Sequence, residues 1–437
     1  MNIQTTASEF ARKTEDVAFA MDELFFSRTD ERGVIAAGNA VFRRISGFDW
    51  DELVGAPHKV VRHSDMPKGI FHILWTRIQT GVPAGAYVKN RTKDGRYYWV
   101  YAIISPIPGG YVSVRLKPTA QVFETVVAEY AAALSAERDE GLTPAQSAQR
   151  ICERLHGLGF ANYEAFSASA LAQEAMARDG ALGRGEDGRT RCLSRLLPVI
   201  KAIEGNQIKL FQAFEAIRGI PSNMRIVASR LEPAGGPISA ISQNYRLMSN
   251  EVTDHLGAFL SDGGKRSLLD SISGRIDQAL FMVAASRIQR EVSETAREAL
   301  VSGGERGGFE QEVDVLTSLV DGYSKTTAEV LASVFRDVAQ LRRSAKDLKQ
   351  LVTGLDSIRV LCRVEAGRLG ANSASLTPVI NQLDRFHVEI DNTLEKIMEQ
   401  AEDGKDLVER AMPRAVNRTL SPKHGGAIGH PRAVGVL

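Results

Sequence analysis

The sequence predicts an α+β domain, a five-stranded antiparallel sheet with inserted helices, followed by an extended all-α region that forms a helical bundle or coiled coil. Three observations predict it. All three tryptophans, Trp50, Trp75 and Trp99, lie before residue 118. The same stretch carries short β-rich runs separated by turn residues. Beyond Pro118 the apolar residues recur instead at steps of three and four, the helical period. At roughly 150 residues per domain, 437 residues allow about three domains. The expected divisions are a helical cap over 1–21, the sheet domain over 22–117, a helical connector over 118–180, a long helical region over 181–412 and a disordered tail over 413–437.

The expected strands are Leu24 to Arg28, Val34 to Ala37, Ala86 to Asn90, Tyr97 to Ser105 and Tyr111 to Leu116. Lys93-Asp94-Gly95 and Pro108-Gly109-Gly110 join the last three, so these form a meander. The clearest inserted helix runs from Asp65 to Thr80. Asp65 is placed to cap it, Pro67 suits its first turn, and Ile70, Phe71, Leu74, Trp75 and Ile78 form one apolar face before Gly81 ends it. Thr143-Pro144 opens a further helix with Ile151, Leu155 and Leu158 on one face, and Phe160 to Asp179 continues as a separate segment.

From residue 316 to 355 apolar or small residues recur at steps averaging close to the roughly 3.5 of a heptad. So narrow a seam favours an intermolecular coiled coil over a helix packed inside one bundle. A weak repeat also runs through this half. Ile208-Lys209-Leu210 matches Leu348-Lys349-Gln350-Leu351, and Arg230-Leu231-Glu232 matches Arg363-Val364-Glu365. Ile241-Ser242-Gln243 with Glu251-Val252 matches Ile380-Asn381-Gln382 with Glu389-Ile390. An internal duplication is therefore expected.

Composition excludes several classes. Apolar residues make up 43% and charged residues 24%, which argues against disorder, collagen and a disulfide scaffold. Fifty-four Lys plus Arg against 53 Asp plus Glu leave a formal charge of +1, so no global field grips nucleic acid or an anionic membrane. Cys152, Cys192 and Cys362 are too scattered for a metal or redox pair. The longest uncharged run, Tyr97 to Val114, contains Pro106, Pro108 and a Gly pair and reads as strands, so no membrane span is expected. A cytoplasmic location fits these features.

The most informative stretch is Pro57-His58-Lys59-Val60-Val61-Arg62-His63-Ser64-Asp65-Met66-Pro67. It is followed by Val88-Lys89-Asn90-Arg91 and Lys93-Asp94-Gly95-Arg96-Tyr97-Tyr98-Trp99-Val100. Together these blocks resemble the PAS domain of bacterial aerotaxis receptors over residues 22–117, and within the first block only Ser64 departs, from a proline. The resemblance implies bound FAD whose redox state reports oxygen or electron transport. It places the flavin contacts at Asn39, Arg62, His63 and Asp65. Arg62 and His63 offer donors, and Asp65 accepts; bracing of the loop is the competing role of these residues.

One departure bears on the ligand. The family carries a tryptophan after its Gly-x-Pro turn, stacked on the flavin, whereas Gly81-Val82-Pro83 is followed here by Ala84. Loss of that platform lowers flavin affinity or opens the site to another ligand, with Tyr87 a candidate to compensate. Haem, with His58, His63 or His72 as ligand, and no cofactor at all stay open. His72 reads more simply as a surface or core histidine.

The helical half carries faint echoes of a chemoreceptor tip, at Val364-Glu365-Ala366-Gly367-Arg368 and at Phe214-Glu215-Ala216-Ile217-Arg218. The resemblance implies a homodimer or higher oligomer, with a chemotaxis kinase and its coupling protein as partners. No phosphate-binding loop, sensor-kinase nucleotide box or cyclase signature occurs, so no enzymatic activity is expected. His387, beside Asp384 and Glu389, reads as a solvated helix residue. The expectation is a cytoplasmic sensory transducer, against the alternative of a scaffold whose PAS module is empty. Its expected relay is the stiff Lys117-Pro118 junction into a helix bearing Phe123, Val126, Val127 and Tyr130.

Overall fold

The computed structural model describes residues 15–231, 235–260, 268–301 and 309–412. Five strands, β1 (Phe25–Asp30), β2 (Ile35–Gly38), β3 (Ala84–Arg91), β4 (Tyr97–Ile107) and β5 (Gly110–Leu116), form one antiparallel sheet in the order β2-β1-β5-β4-β3. The last three make the expected meander. Gly95 (φ 92°) and Gly109 (φ 80°) supply the left-handed backbone at its two turns. Between β2 and β3 lie α1 (Ala40–Ser46), α2 (Trp50–Leu53), a 3-10 turn (His58–Val61) and α3 (Lys68–Gln79).

Helix α3 begins three residues later than its sequence signal. Pro67 occupies the cap position, and no side chain caps the helix. Asp65 instead accepts a bond from the Lys89 ammonium at 2.7 Å, because an ion pair to the neighbouring strand outcompetes a solvent-exposed cap. The apolar face is as expected, with Ile70, Leu74 and Ile78 buried.

Residues 1–14 of the expected N-terminal cap lie outside the described residues. Residues 15–20 are extended where a helix was expected: Tyr97 N–H donates to the Glu15 carbonyl (3.2 Å), and Val17 N–H to the Tyr97 carbonyl (2.8 Å). This segment adds backbone pairing at the start of β4, which a helix would leave unmade. The expected tail, 413–437, also lies outside the described residues.

After the sheet come α4 (Val122–Asp139), α5 (Pro144–Gly157), α6 (Tyr163–Ala181), α7 (Gly188–Ile217), α8 (Ile220–Arg230), α9 (Gly236–Leu260), α10 (Leu268–Val301), α11 (Phe309–Leu369) and α12 (Thr377–Ala411). Helix α5 starts at a capping box, Thr143 with Gln146, with Pro144 in its first turn. Its approach to α3 is close: a side chain at Gly69 would collide with Ser147. The buried Glu137 of α4 accepts there from Gly69 N–H (3.0 Å) and Ser147 Oγ (2.6 Å).

Side chains alternate across the sheet. One face, with Ser27, Val88, Ala102, Ile104, Ser113 and Arg115, looks toward α3. The opposite face is covered by helices of the same chain. Tyr87 Oη donates to Glu174 of α6 (2.7 Å) and Tyr101 Oη to the Ser167 carbonyl of α6 (2.7 Å). Trp99 packs edge-on to Phe123 of α4. Ser105 bonds both Tyr323 of α11 (2.7 Å) and Gln289 of α10 (2.9 Å). Arg28 makes a bidentate pair with Glu312 of α11, its Nη2 at 2.8 Å. The buried Arg178 of α6 joins the Met21 and Asp22 carbonyls to Glu291 of α10. The sheet is thus clamped to the helical half by fully or partly buried polar contacts as well as by the strand-to-helix junction.

The narrow seam of α11 corrects the expectation of an intermolecular coiled coil. Leu316, Tyr323, Leu331, Val334, Val338, Leu341, Ala345, Leu348, Val352 and Leu355 are buried within one chain. They pack against α9, α10 and α12, so a heptad spacing here serves an intramolecular bundle. His387 likewise departs from the expected solvated residue. It is 7% exposed, burial lowers its pKa, and neither ring nitrogen has a hydrogen-bond partner among the described residues. Among the described residues no helix is long and apolar enough to cross a membrane.

Candidate functional site

A cavity of about 300 Å³ lies between α3, the 3-10 turn and the inner face of β1, β4 and β5. Its walls are mostly apolar and aromatic, with Phe71, Leu74, Trp75 and Ile78 from α3 facing Ala102, Ile104 and Tyr111 from the sheet. Trp75 meets Tyr111 edge-on, ring centres 5.6 Å apart. Gly33 lets this wall close in, since a Cβ there would lie 3.1 Å from the Trp75 ring. Its φ of 77° also suits glycine.

The polar floor is built by strand alternation. Residues 111, 113 and 115 share a face, so Tyr111, Ser113 and Arg115 all line the cavity. Arg115 is 2% exposed. Its Nη2 donates to Ser27 Oγ (2.6 Å) and lies 2.6 Å from His58 Nε2, while its Nη1 is buried without a partner among the described residues. The Ser113 hydroxyl is orphaned too. Burial pushes the Arg115 pKa down to about 10, and no carboxylate among the described residues offsets it. Because arginine only donates, His58 Nε2 must accept, which fixes the neutral Nδ1–H tautomer. Burial and then Arg115 depress the His58 pKa to about 3, and its ring stacks on Phe42.

A buried, uncompensated guanidinium with a free N–H is expensive unless it meets an acceptor. The cavity therefore suits a flat apolar body carrying an anionic or strongly accepting edge. A flavin ring fits that description: Arg115 and Ser113 would donate to its accepting edge, and Trp75 with Phe71 would supply apolar contact. Haem does not fit. The His58 Nε2 lone pair faces Arg115, His72 is exposed, and His63 is not on the cavity wall.

Of the four residues carried over from the resemblance, Arg62 alone lines the cavity. Its guanidinium lies 3.7 Å over the Phe71 ring. Asn39 caps α1: its Oδ1 accepts from Phe26 and Phe42 N–H (both 3.1 Å), and its Nδ2 donates to the Leu24 carbonyl (2.8 Å). His63 Nδ1 accepts from Asp65 N–H (3.1 Å), and burial followed by the Lys89 charge lowers its pKa. Asp65, 51% exposed at its side chain, pairs with Lys89. The structure thus brings His63, Asp65 and Lys89 together as a brace outside the cavity, and places Asn39 elsewhere.

Tyr87 does not take the place of the family tryptophan. It stands on the opposite sheet face, stacked on Phe123 and bonded to Glu174. Ala84 is on the cavity face, paired in register with Ile104. The aromatic surface comes instead from Trp75 and Phe71 across the cavity. Sequence reasoning placed both on an apolar helix face and overlooked Ser113 and Arg115. Their signal was two polar residues at alternate positions of an otherwise apolar strand.

Residues 35–114 match the family model described as a PAS fold. Over 147 residues the chain is 37% identical to the aerotaxis receptor of Escherichia coli, a match covering 32% of this chain and 26% of that receptor. The chain thus spans about a quarter of that relative's length. Among solved structures, the light state of the blue-light photoreceptor Aureochrome1 LOV is 19% identical, covering 28% of this chain and 95% of that one, with a TM-score of 0.22. A fungal LOV-domain photoreceptor is 15% identical, covering 26% and 90%, with a TM-score of 0.19. The amino-terminal domain of this chain is a PAS domain, similar to the Escherichia coli aerotaxis receptor over the segment the two share.

Proposed function

We propose that the chain is a non-enzymatic sensory transducer whose PAS cavity binds a redox-active planar ligand, FAD by resemblance, and relays its state to the helical half. The observation that carries this reading is the buried Arg115, whose Nη1 stands in an aromatic cavity with neither a hydrogen-bond partner nor an offsetting carboxylate among the described residues. An empty scaffold module would bury that charge for nothing, which weighs against the alternative. Arg115, Ser113 and Arg62 would hold the accepting edge, and Trp75 with Phe71 would cover the plane. A flavin, when bound, supplies a change of ring charge on reduction. Neutral His58 keeps Arg115 oriented without contributing charge of its own.

Relay follows from the sheet. Ile104 lines the cavity, and the next residue, Ser105, grips α10 and α11 on the other face. A ligand state that shifts β4 therefore acts on the helices directly. The resemblance supplies the rest of the proposal: a cytoplasmic setting, an oxygen or redox stimulus, and a chemotaxis kinase with its coupling protein as readers. The absorption spectrum of the purified chain tests the ligand. A flavin band at about 450 nm is expected, present in the native chain and lost in Arg115→Met. A colourless chain that takes up no added FAD would contradict the proposal.

A further inference from the structure

We infer that the helical half is a pseudo-two-fold dimer of hairpins made within one chain, so its four-helix bundle is complete without a second copy. The first hairpin is α7 with α8, returning as α9. The second is α11 returning as α12. Within the second, Lys349 pairs with Asp391 (3.1 Å), Arg359 with Asp384 (2.6 Å) and Arg342 with Glu402 (2.9 Å), a descending order that makes α11 and α12 antiparallel. Within the first, Ser242 Oγ of α9 donates to the Pro221 carbonyl of α8 (2.6 Å).

The contacts between hairpins carry the symmetry. Along α7 and α12, Asn206 bonds Gln400 (3.0 Å), and Phe214 packs edge-on to Phe386, ring centres 5.1 Å apart. Along α9 and α11, Met248 fills the space over Gly354, where any Cβ would collide with it. The sequence repeat relates these two contacts. The offset that carries Ile208 onto Leu348 carries Phe214 onto Gly354, and the offset that carries Glu251 onto Glu389 carries Met248 onto Phe386. One cross-hairpin contact therefore maps onto the other with the roles of the hairpins exchanged, as a two-fold axis along the bundle requires. The Arg230 and Arg363 triplets fall out of this register, so the stems and not the tips carry the relation.

The buried α11 seam agrees, because its partners are α9, α10 and α12 of the same chain. This arrangement gives one PAS domain to a whole bundle and applies its signal to one side of it, through α10 and α11.

Disulfide trapping decides where the second hairpin comes from. Met248→Cys and Gly354→Cys are placed together in full-length chains whose Cys152, Cys192 and Cys362 are replaced by alanine. Each is also placed alone, and the two single variants are mixed before oxidation. The expected result is a 248–354 disulfide, identified by peptide mass, in chains that run at the single-chain mass of 47.7 kDa, with no covalent dimer from the mixture. A covalent dimer from the mixture would overturn the inference, as would no disulfide in either arm. Light scattering of the unsubstituted chain guards against a variant that fails to fold. Helix content that stays constant on dilution to a monomer supports the inference, and helix content lost as dimers dissociate overturns it.

Discussion

The hydroxyls of Ser105 and Tyr323 meet at 2.7 Å in the buried interface between β4 and α11. Gln289 donates to the same serine, so one strand residue holds two helices. Its chain neighbour Ile104 stands on the cavity wall behind it. Tyr323→Phe keeps the ring and removes the bond, which should cost about 1 kcal/mol, read as a lower denaturant midpoint. FAD bound as proposed should be retained in this variant, and the proposed effect of the ligand on α11 should weaken.

Arg115→Met should separate stability from binding. In the ligand-free chain the substitution removes an uncompensated buried charge, so stability should hold or rise. FAD binding should fall at least about tenfold, the equivalent of one charge-assisted hydrogen bond. Titration of both chains with FAD, beside their thermal midpoints, checks the two signs together.

Asn39→Ala should do the reverse. All three of its hydrogen bonds go to backbone groups at β1 and α1, so stability should drop by about 1 kcal/mol. Affinity of the folded fraction for FAD should stay within about threefold. A large loss of affinity at unchanged stability would return Asn39 to the direct contacts that the resemblance implies.

The strands were legible because turn residues bracket them, and the helices because their apolar faces repeat. The cavity was not, for a physical reason. Ser113 and Arg115 matter only once Val112 and Val114 turn to the other face, and a single strand read alone does not say which face holds a ligand. Asp65 shows the same limit from the other side: its helix-cap signal is local, while Lys89, the partner that claims it, arrives 24 residues later. The α11 seam announced a packed helix without saying whose helices fill it.

His58 makes stability depend on pH. Its pKa is about 3 in the folded chain, against about 6.5 when unfolded. The unfolded chain therefore binds the extra proton between these values, and stability falls as pH drops below about 6.5, by up to about 1.4 kcal/mol per pH unit. His58→Gln, which can still accept from Arg115, should flatten this fall. Urea midpoints at pH 7 and pH 5 for both chains measure it.

Asp277 on α10 should act with the opposite sign. Burial raises its pKa to about 7, so its contribution to stability is present in acid and is lost as pH rises from about 4 through 7. Asp277→Asn should raise the thermal midpoint, and by more at pH 8 than at pH 4.

Amide hydrogen exchange on the full chain, with and without bound FAD, tests most directly whether the cavity is read through the opposite face of the sheet. Protection should change in β4 and β5 and, with them, in α10 around Gln289 and α11 around Tyr323, and the helical part of that response should shrink in Tyr323→Phe. Changes confined to β5, the Lys117-Pro118 junction and α4, with α10 and α11 unaltered, would contradict the account.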